Sequence, residues 1–225
     1  MCPRTHYAGW GRCQGTPAAA RGLLLTMPRI GYPTLVLLAG LRALAAQDGA
    51  PQALGDTFAR VSPAELDSLY GPLVYLMVEA ERGVYPGLSL AERRAFLRTF
   101  WSRRDPTPGT PGNPALETFY GRVRRANRQF TEGGATAIPG WRTDRGRVYI
   151  RYGRPDQVLS RPRPGSTNPY EVWKYTWGQP RKYVFFDVTR FGNFTLIWTD
   201  DLSELGKPDW KALLGAEALE DVLRF

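Results

Sequence analysis

The fold turns on GWRTDRGRVYIRYGRPD, residues 140–156, where one tryptophan, two tyrosines, two aspartates and five arginines share seventeen positions. Its middle, RVYIRY, alternates: Val148, Ile150 and Tyr152 take one face, Tyr149 and Arg151 the other, which is the period of a half-buried strand. The text downstream keeps that period. QVLSR (157–161), YEVWKYTW (170–177), KYVFFDV (182–188) and NFTLIWT (193–199) read as further strands, with turn chemistry at residues 153–156 and 191–193 and a longer loop in PRPGSTNP. No crossover helix separates them, so an antiparallel, meander-like sheet of four to five strands is expected over residues 140–200.

Upstream the period is helical. Ser62-Pro63-Ala64-Glu65 and Ser89-Leu90-Ala91-Glu92 both have the form of a capping box, and Asn113-Pro114 opens a third helix. Leu66, Leu69, Tyr70 and Leu73 form the apolar stripe of the first. Gly71-Pro72 interrupts it, and LVYLMVEAE is expected to continue as a partly buried helix. Leu90, Phe96, Leu97, Phe100 and Trp101 gather on one side of the second at helical spacing. Leu116, Phe119, Tyr120, Val123, Ala126 and Phe130 do so on the third. The organisation is therefore α+β: about three helices over residues 62–130, a break near 131–139, then the sheet packed on them as one domain. A tail at 201–225 has leucines spaced for a last helix.

The front of the chain reads differently. Met27-Pro28-Arg29-Ile30 is a short basic start, YPTLVLLAGLRALAAQ is an apolar run, and Ala43-Leu44-Ala45 has the shape of an export cleavage site. Residues 27–45 are thus expected to be a signal peptide, although Arg42 is an unusual charge there, and residues 1–26 an overextended start or a disordered lead. This places the mature protein outside the cytoplasm, in the periplasm or medium, with no transmembrane domain. The net charge of +9 is distributed accordingly: five arginines and no acid precede Asp48, which leaves 25 basic against 21 acidic residues beyond, an ordinary balance of +4.

Cys2, Cys13 and His6 all lie in that leading part. A mature chain without Cys or His has no disulfide, no thiol or imidazole catalysis and none of the usual zinc ligand sets, so neither a metal nor another cofactor is expected. Carboxylates remain. Asp105, Asp144, Asp156 and Asp187 each sit at a turn or on the aromatic sheet, and a pair of them in a concave pocket, such as Asp144 with Asp187, could hydrolyse glycosides at a separation of roughly 5–10 Å. Each also has a plainer reading as a turn acid. Asp187, for example, would pair with Arg181, Lys182 or Arg190. Arg145, Arg147, Arg151 and Arg154 beside Tyr149 and Trp173 could stack single-stranded bases, but the modest charge and the export segment argue against nucleic acid. Thr143 and Asp144 are expected to cap the chain just before a strand, with Trp141 folded over one end of the sheet.

The run GWRTD followed by RGRVYIRYGRPD closely resembles the signature of the bacterial GWxTD-domain family. The resemblance spans roughly residues 73–200. It is carried by Phe100, Trp101, Arg104, Asp105, Pro106, Asn113, Glu117, Gly140, Trp141, Thr143, Asp144, Gly146, Tyr152, Gly153, Pro155, Asp156, Trp173 and Tyr175, and only the segment from residue 74 to 96 looks abbreviated. It implies a bacterial protein with an export signal and brings no activity or catalytic residue with it. The charged landmarks predict a half-buried ion pair at the α/β seam: Arg104 or Arg103 at the end of the second helix with Asp144, shielded by Trp101 and Trp141. Such a junction specifies a fold rather than performs chemistry. The function expected from the sequence is an exported, non-enzymatic module binding an envelope protein or surface component. A carboxylate-dependent hydrolase or glycan-binding protein is the alternative.

Overall fold

The computed structural model describes residues 57–165 and 167–225. The expected signal peptide, the lead before it, His6 and both cysteines lie outside these residues.

Three α-helices come first: α1 (Pro63–Tyr70), α2 (Leu90–Ser102) and α3 (Pro114–Gln129). Both capping boxes form. Glu65 accepts the Ser62 amide at 2.9 Å and Glu92 accepts the Ser89 amide at 2.8 Å, while the Asn113 side chain accepts from Ala115 and Leu116. The stretch after Gly71-Pro72 is not the continuous helix expected. It breaks into short 3₁₀ turns at Gly71–Tyr75, Glu79–Glu81 and Tyr85–Gly87, because Pro72, Gly83, Pro86 and Gly87 recur too often for an α-helix to propagate. These turns still bury Leu73, Met77 and Tyr85 in a helical core with Leu66, Leu97, Phe100, Trp101, Tyr120 and Ala126.

RVYIRY is not a strand. It is the body of α4 (Asp144–Tyr152), capped by the Thr143 side chain on the Gly146 amide and ended by Gly153 at φ 83°. The alternation misleads because α4 is buried on more than one side. Ile150 packs in the helical core, while Val148 and Tyr149 belong to a separate cluster with the sheet, so the apolar residues of α4 are consecutive, and the short polar face of Asp144, Arg147 and Arg151 is itself half-buried in ion pairs.

The sheet has four strands, β1 (Gln157–Arg161), β2 (Tyr170–Tyr175), β3 (Arg181–Asp187) and β4 (Phe194–Thr199), in the antiparallel order β1-β2-β3-β4 expected of a meander. One face, with Trp173, Tyr175, Tyr183, Phe185 and Leu196, is covered by α4. The other, with Tyr170, Val172, Val184 and Ile197, is covered by Leu214, Ala218 and Val222 of α5 (Trp210–Leu214) and α6 (Ala216–Arg224). The tail thus forms two short helices, and the sheet is buried on both sides. Among the described residues no helix is long and apolar enough to cross a membrane.

Candidate functional site

The GWRTD stretch is a close-packed knot. Gly140 lies so near α3 that a Cβ there would be 2.0 Å from the Ala126 carbonyl oxygen, and a Cβ on Gly146 would be 1.7 Å from the carbonyl oxygen of Gly140. Both positions therefore require glycine, since backbone on the other side cannot yield. Trp141 covers Gly71 in the helical part rather than an end of the sheet, with its ring carbons 3.1 Å from where a Gly71 Cβ would lie. Its amide donates to Asn127 of α3, and its carbonyl accepts the Tyr75 hydroxyl at 2.7 Å. Thr143, 5 % exposed, donates to the Gly140 carbonyl and accepts from the Gly146 amide. Asp144 accepts the Leu196 amide of β4 at 2.8 Å through one oxygen and Arg147 at 2.9 Å through the other. Five consecutive residues thus join α3, α4, β4 and the turn after α1.

The expected pairing of Arg104 with Asp144 does not occur. Arg104 grips Glu81, with Nη2 2.6 Å from Oε2, and lies over the Phe100 ring at 3.7 Å. The hydrogen bonds from Arg104 hold the Glu81 carboxyl below its ordinary value. A buried ion-pair junction does exist at the seam, with other members. Arg145 pairs with Glu132 at 2.8 Å and Glu171 at 3.4 Å, lies 3.8 Å from the Phe194 ring centroid, and keeps only 10 % of its side chain exposed. Burial raises the Glu132 carboxyl above its ordinary value, partly offset by Arg145. Beside it Arg147 and Arg151 share Glu204. Neither Glu132, in the linker, nor Glu204, beyond the sheet, belongs to a motif, so sequence spacing could not have named them.

The remaining acids accept from backbone amides and threonine hydroxyls. Asp105 accepts the Thr107 amide, and Asp156 accepts the amide and hydroxyl of Thr176. Asp187, 1 % exposed, accepts the Thr189 and Gly192 amides and the Thr189 hydroxyl of the β3–β4 loop, not an arginine or lysine. The four aspartates therefore have separate hydrogen-bond partners: Asp144 holds the Leu196 amide and Arg147, Asp156 holds Thr176, and Asp105 and Asp187 hold groups of their own turns. Among the described residues no group of three or more His, Cys, Asp or Glu could hold a metal ion.

Trp173 leads to a different feature. It lines a cleft of about 540 Å³ with Phe130, Tyr149, Arg125, Arg145, Arg154, Val158 and Glu171. The rings are in contact, Phe130 lying 5.6 Å from Tyr149 and 5.3 Å from Trp173 between centroids. Trp173 Nε1 donates to Glu171 at 3.0 Å. Tyr149 is 8 % exposed, and its hydroxyl has no hydrogen-bond partner among the described residues. Arg154 has no ion-pair partner there either, and Arg125 reaches only Gln129. The cleft adjoins β1, which among the described residues pairs with β2 alone. The Asp187 amide donates to the Pro169 carbonyl, which fixes the alternation of the ladder. Val158 and Ser160 therefore turn their backbone N–H and C=O groups away from the sheet, toward an edge without a neighbouring strand among the described residues. Val158 is opposite Trp173 and half exposed. Of the arginine and aromatic set singled out in the sequence, Arg145, Arg154, Tyr149 and Trp173 do converge here. Arg147 and Arg151 do not, because the helical turn of α4 carries them to Glu204.

No curated protein and no solved structure matches the chain. Residues 52–197, well over half of it, match the GWxTD domain. With the glycines, tryptophan, threonine and aspartate of that motif forming the knot described above, the chain belongs to the GWxTD domain family.

Proposed function

We propose that the protein is an exported, non-catalytic binding module that takes an extended, acidic polypeptide segment along β1 and into the adjoining cleft. The open edge of β1 beside the Phe130, Tyr149 and Trp173 rings carries this reading. Outward backbone groups of Val158 and Ser160 offer strand-addition hydrogen bonds, the cleft offers a place for a ring or aliphatic side chain, and Arg125 and Arg154 favour carboxylates in the added strand. Export rests on the apolar run and the small-residue site at Ala43-Leu44-Ala45. Commitment of the four candidate aspartates to backbone amides, and of Asp144 also to Arg147, supports binding over carboxylate-dependent hydrolysis.

Site-specific photocrosslinking tests both halves. A photoreactive residue at Val158, in cells making the full chain, is expected to give one dominant protein adduct, and the recovered chain is expected to start near Ala46 or Gln47 by mass spectrometry. Arg125→Glu with Arg154→Glu should abolish the adduct while the thermal midpoint stays within about 3 °C of the parent, since both side chains are exposed. An adduct that survives the double charge reversal overturns the site. An uncleaved chain in the cytoplasm overturns export.

A further inference from the structure

We propose that a second cleft, between α3 and the C-terminal end of α4, binds a small ligand with an apolar body and an oxyanion head. It holds about 470 Å³, within the range of small-molecule sites. Trp101, Phe119 and Ile150 make an apolar floor, Arg104, Arg122 and Arg151 stand around it, and among the described residues no Asp or Glu lines it.

The three arginines are not equally satisfied. Arg104 is held by two hydrogen bonds to Glu81, and Arg151 gives Nη1 to Glu204, a carboxylate that also serves Arg147. Arg122 has no acidic partner among the described residues. Its Nη1 donates to the Ile150 and Arg151 carbonyls at 3.1 and 3.0 Å, which caps α4, while Nε and Nη2 have no acceptor there. Gly153 makes room for this guanidinium, since a Cβ at that position would lie 3.0 Å from Nη2. Capping α4 accounts for one nitrogen of the fork and leaves the other two.

A half-buried guanidinium fixed by backbone loses little freedom when it binds an anion, and its remaining N–H groups suit the two oxygens of a carboxylate or phosphate. Apolar rings beside it lower the local dielectric and strengthen that contact. The same rings would leave a bare inorganic ion's cleft unfilled, so the body of the ligand is apolar.

The test is isothermal titration of the full chain with octanoate, octyl phosphate and octanol. At least one of the two anions is expected to bind about 10-fold or more tighter than octanol, and the tighter one tells a carboxylate from a phosphate head. Arg122→Gln should weaken the anions by about 10-fold and leave octanol unchanged. Thr118→Phe fills the cleft from the exposed side of α3 and touches no arginine hydrogen bond. It should abolish binding, and it keeps the test decisive if Arg122→Gln does not fold. Equal affinity for octanol, undiminished anion binding by Thr118→Phe, or no heat from either anion at about 5 mM would each overturn the proposal.

Discussion

Alanine usually stabilises a helix relative to glycine by about 1 kcal/mol, so Gly146→Ala is a sharp test of the knot. Here the added methyl would meet the Gly140 carbonyl oxygen at 1.7 Å, and in Gly140→Ala it would meet the Ala126 carbonyl oxygen at 2.0 Å. Each substitution is expected to destabilise the protein by about 3 kcal/mol or more in urea unfolding, opposite in sign to propensity. A neutral Gly146→Ala would mean that the motif glycines are not required by packing. The aspartates separate on the same measurement. Asp187→Ala leaves three donors of the β3–β4 loop without their acceptor in a site 1 % exposed, and should cost about 2–4 kcal/mol. Asp105→Ala removes a cap from an exposed turn and should cost under about 1 kcal/mol. An equal loss at the two positions would contradict the geometry. Sequence could mark these acids as turn-associated but could not rank them, because rank depends on burial contributed by segments far along the chain.

At the scale of elements, α4 is where reading and structure part. Thr143 as cap, Asp144 in the first turn and Gly153 after the last are a helix's punctuation and stand in the text. Alternation in RVYIRY outweighs them, because a helix packed between two cores has apolar residues facing in several directions, and its polar stripe of Asp144, Arg147 and Arg151 is too short to reveal the period. The long stripe of α3 and the two capping boxes were legible because those helices have a wet side. The strands after Gly153 were legible because turns separate them, even though α4 and α5–α6 leave the sheet no solvated face. Thr143 itself makes the difference testable. Thr143→Ala removes both the bond to the Gly146 amide and the bond to the Gly140 carbonyl and should cost about 1–2 kcal/mol, whereas Thr143→Ser keeps both and should recover most of it. If serine fares no better than alanine, the methyl group's packing and not the cap holds α4 in place.

In the whole molecule the helical part and the sheet are joined through α4, and several of the polar bonds that close the joint are drawn from loops the motif does not contain. Asp201, beyond β4, accepts the Tyr152 hydroxyl of α4 at 2.8 Å and the Tyr183 hydroxyl of β3 at 2.7 Å, with Arg181 at 3.3 Å. Burial pushes its carboxyl up, but the bonds from Tyr183, the Ser203 amide and Tyr152 outweigh burial and hold it well below the usual carboxylate range. A folded value below the unfolded one means that the stabilisation is present above the unfolded value, near 4, and is lost as pH falls through the folded one. Glu132 has the opposite sign, since burial raises it, and its contribution is present at low pH and lost as pH rises through the raised value. A plain acid-stability curve mixes the two. Comparing the parent with Asp201→Asn cancels Glu132, which both chains carry. The difference in unfolding free energy is expected to be about 2 kcal/mol near pH 6 and to shrink steadily below about pH 4, as Asp201 of the unfolded parent protonates while that of the folded parent stays ionised. Urea titrations at pH 6, 4 and 2.5 measure it. A difference that stays constant over that range would mean that Asp201 acts through its shape and not its charge. The joint between α4 and the sheet would then owe nothing to ionisation.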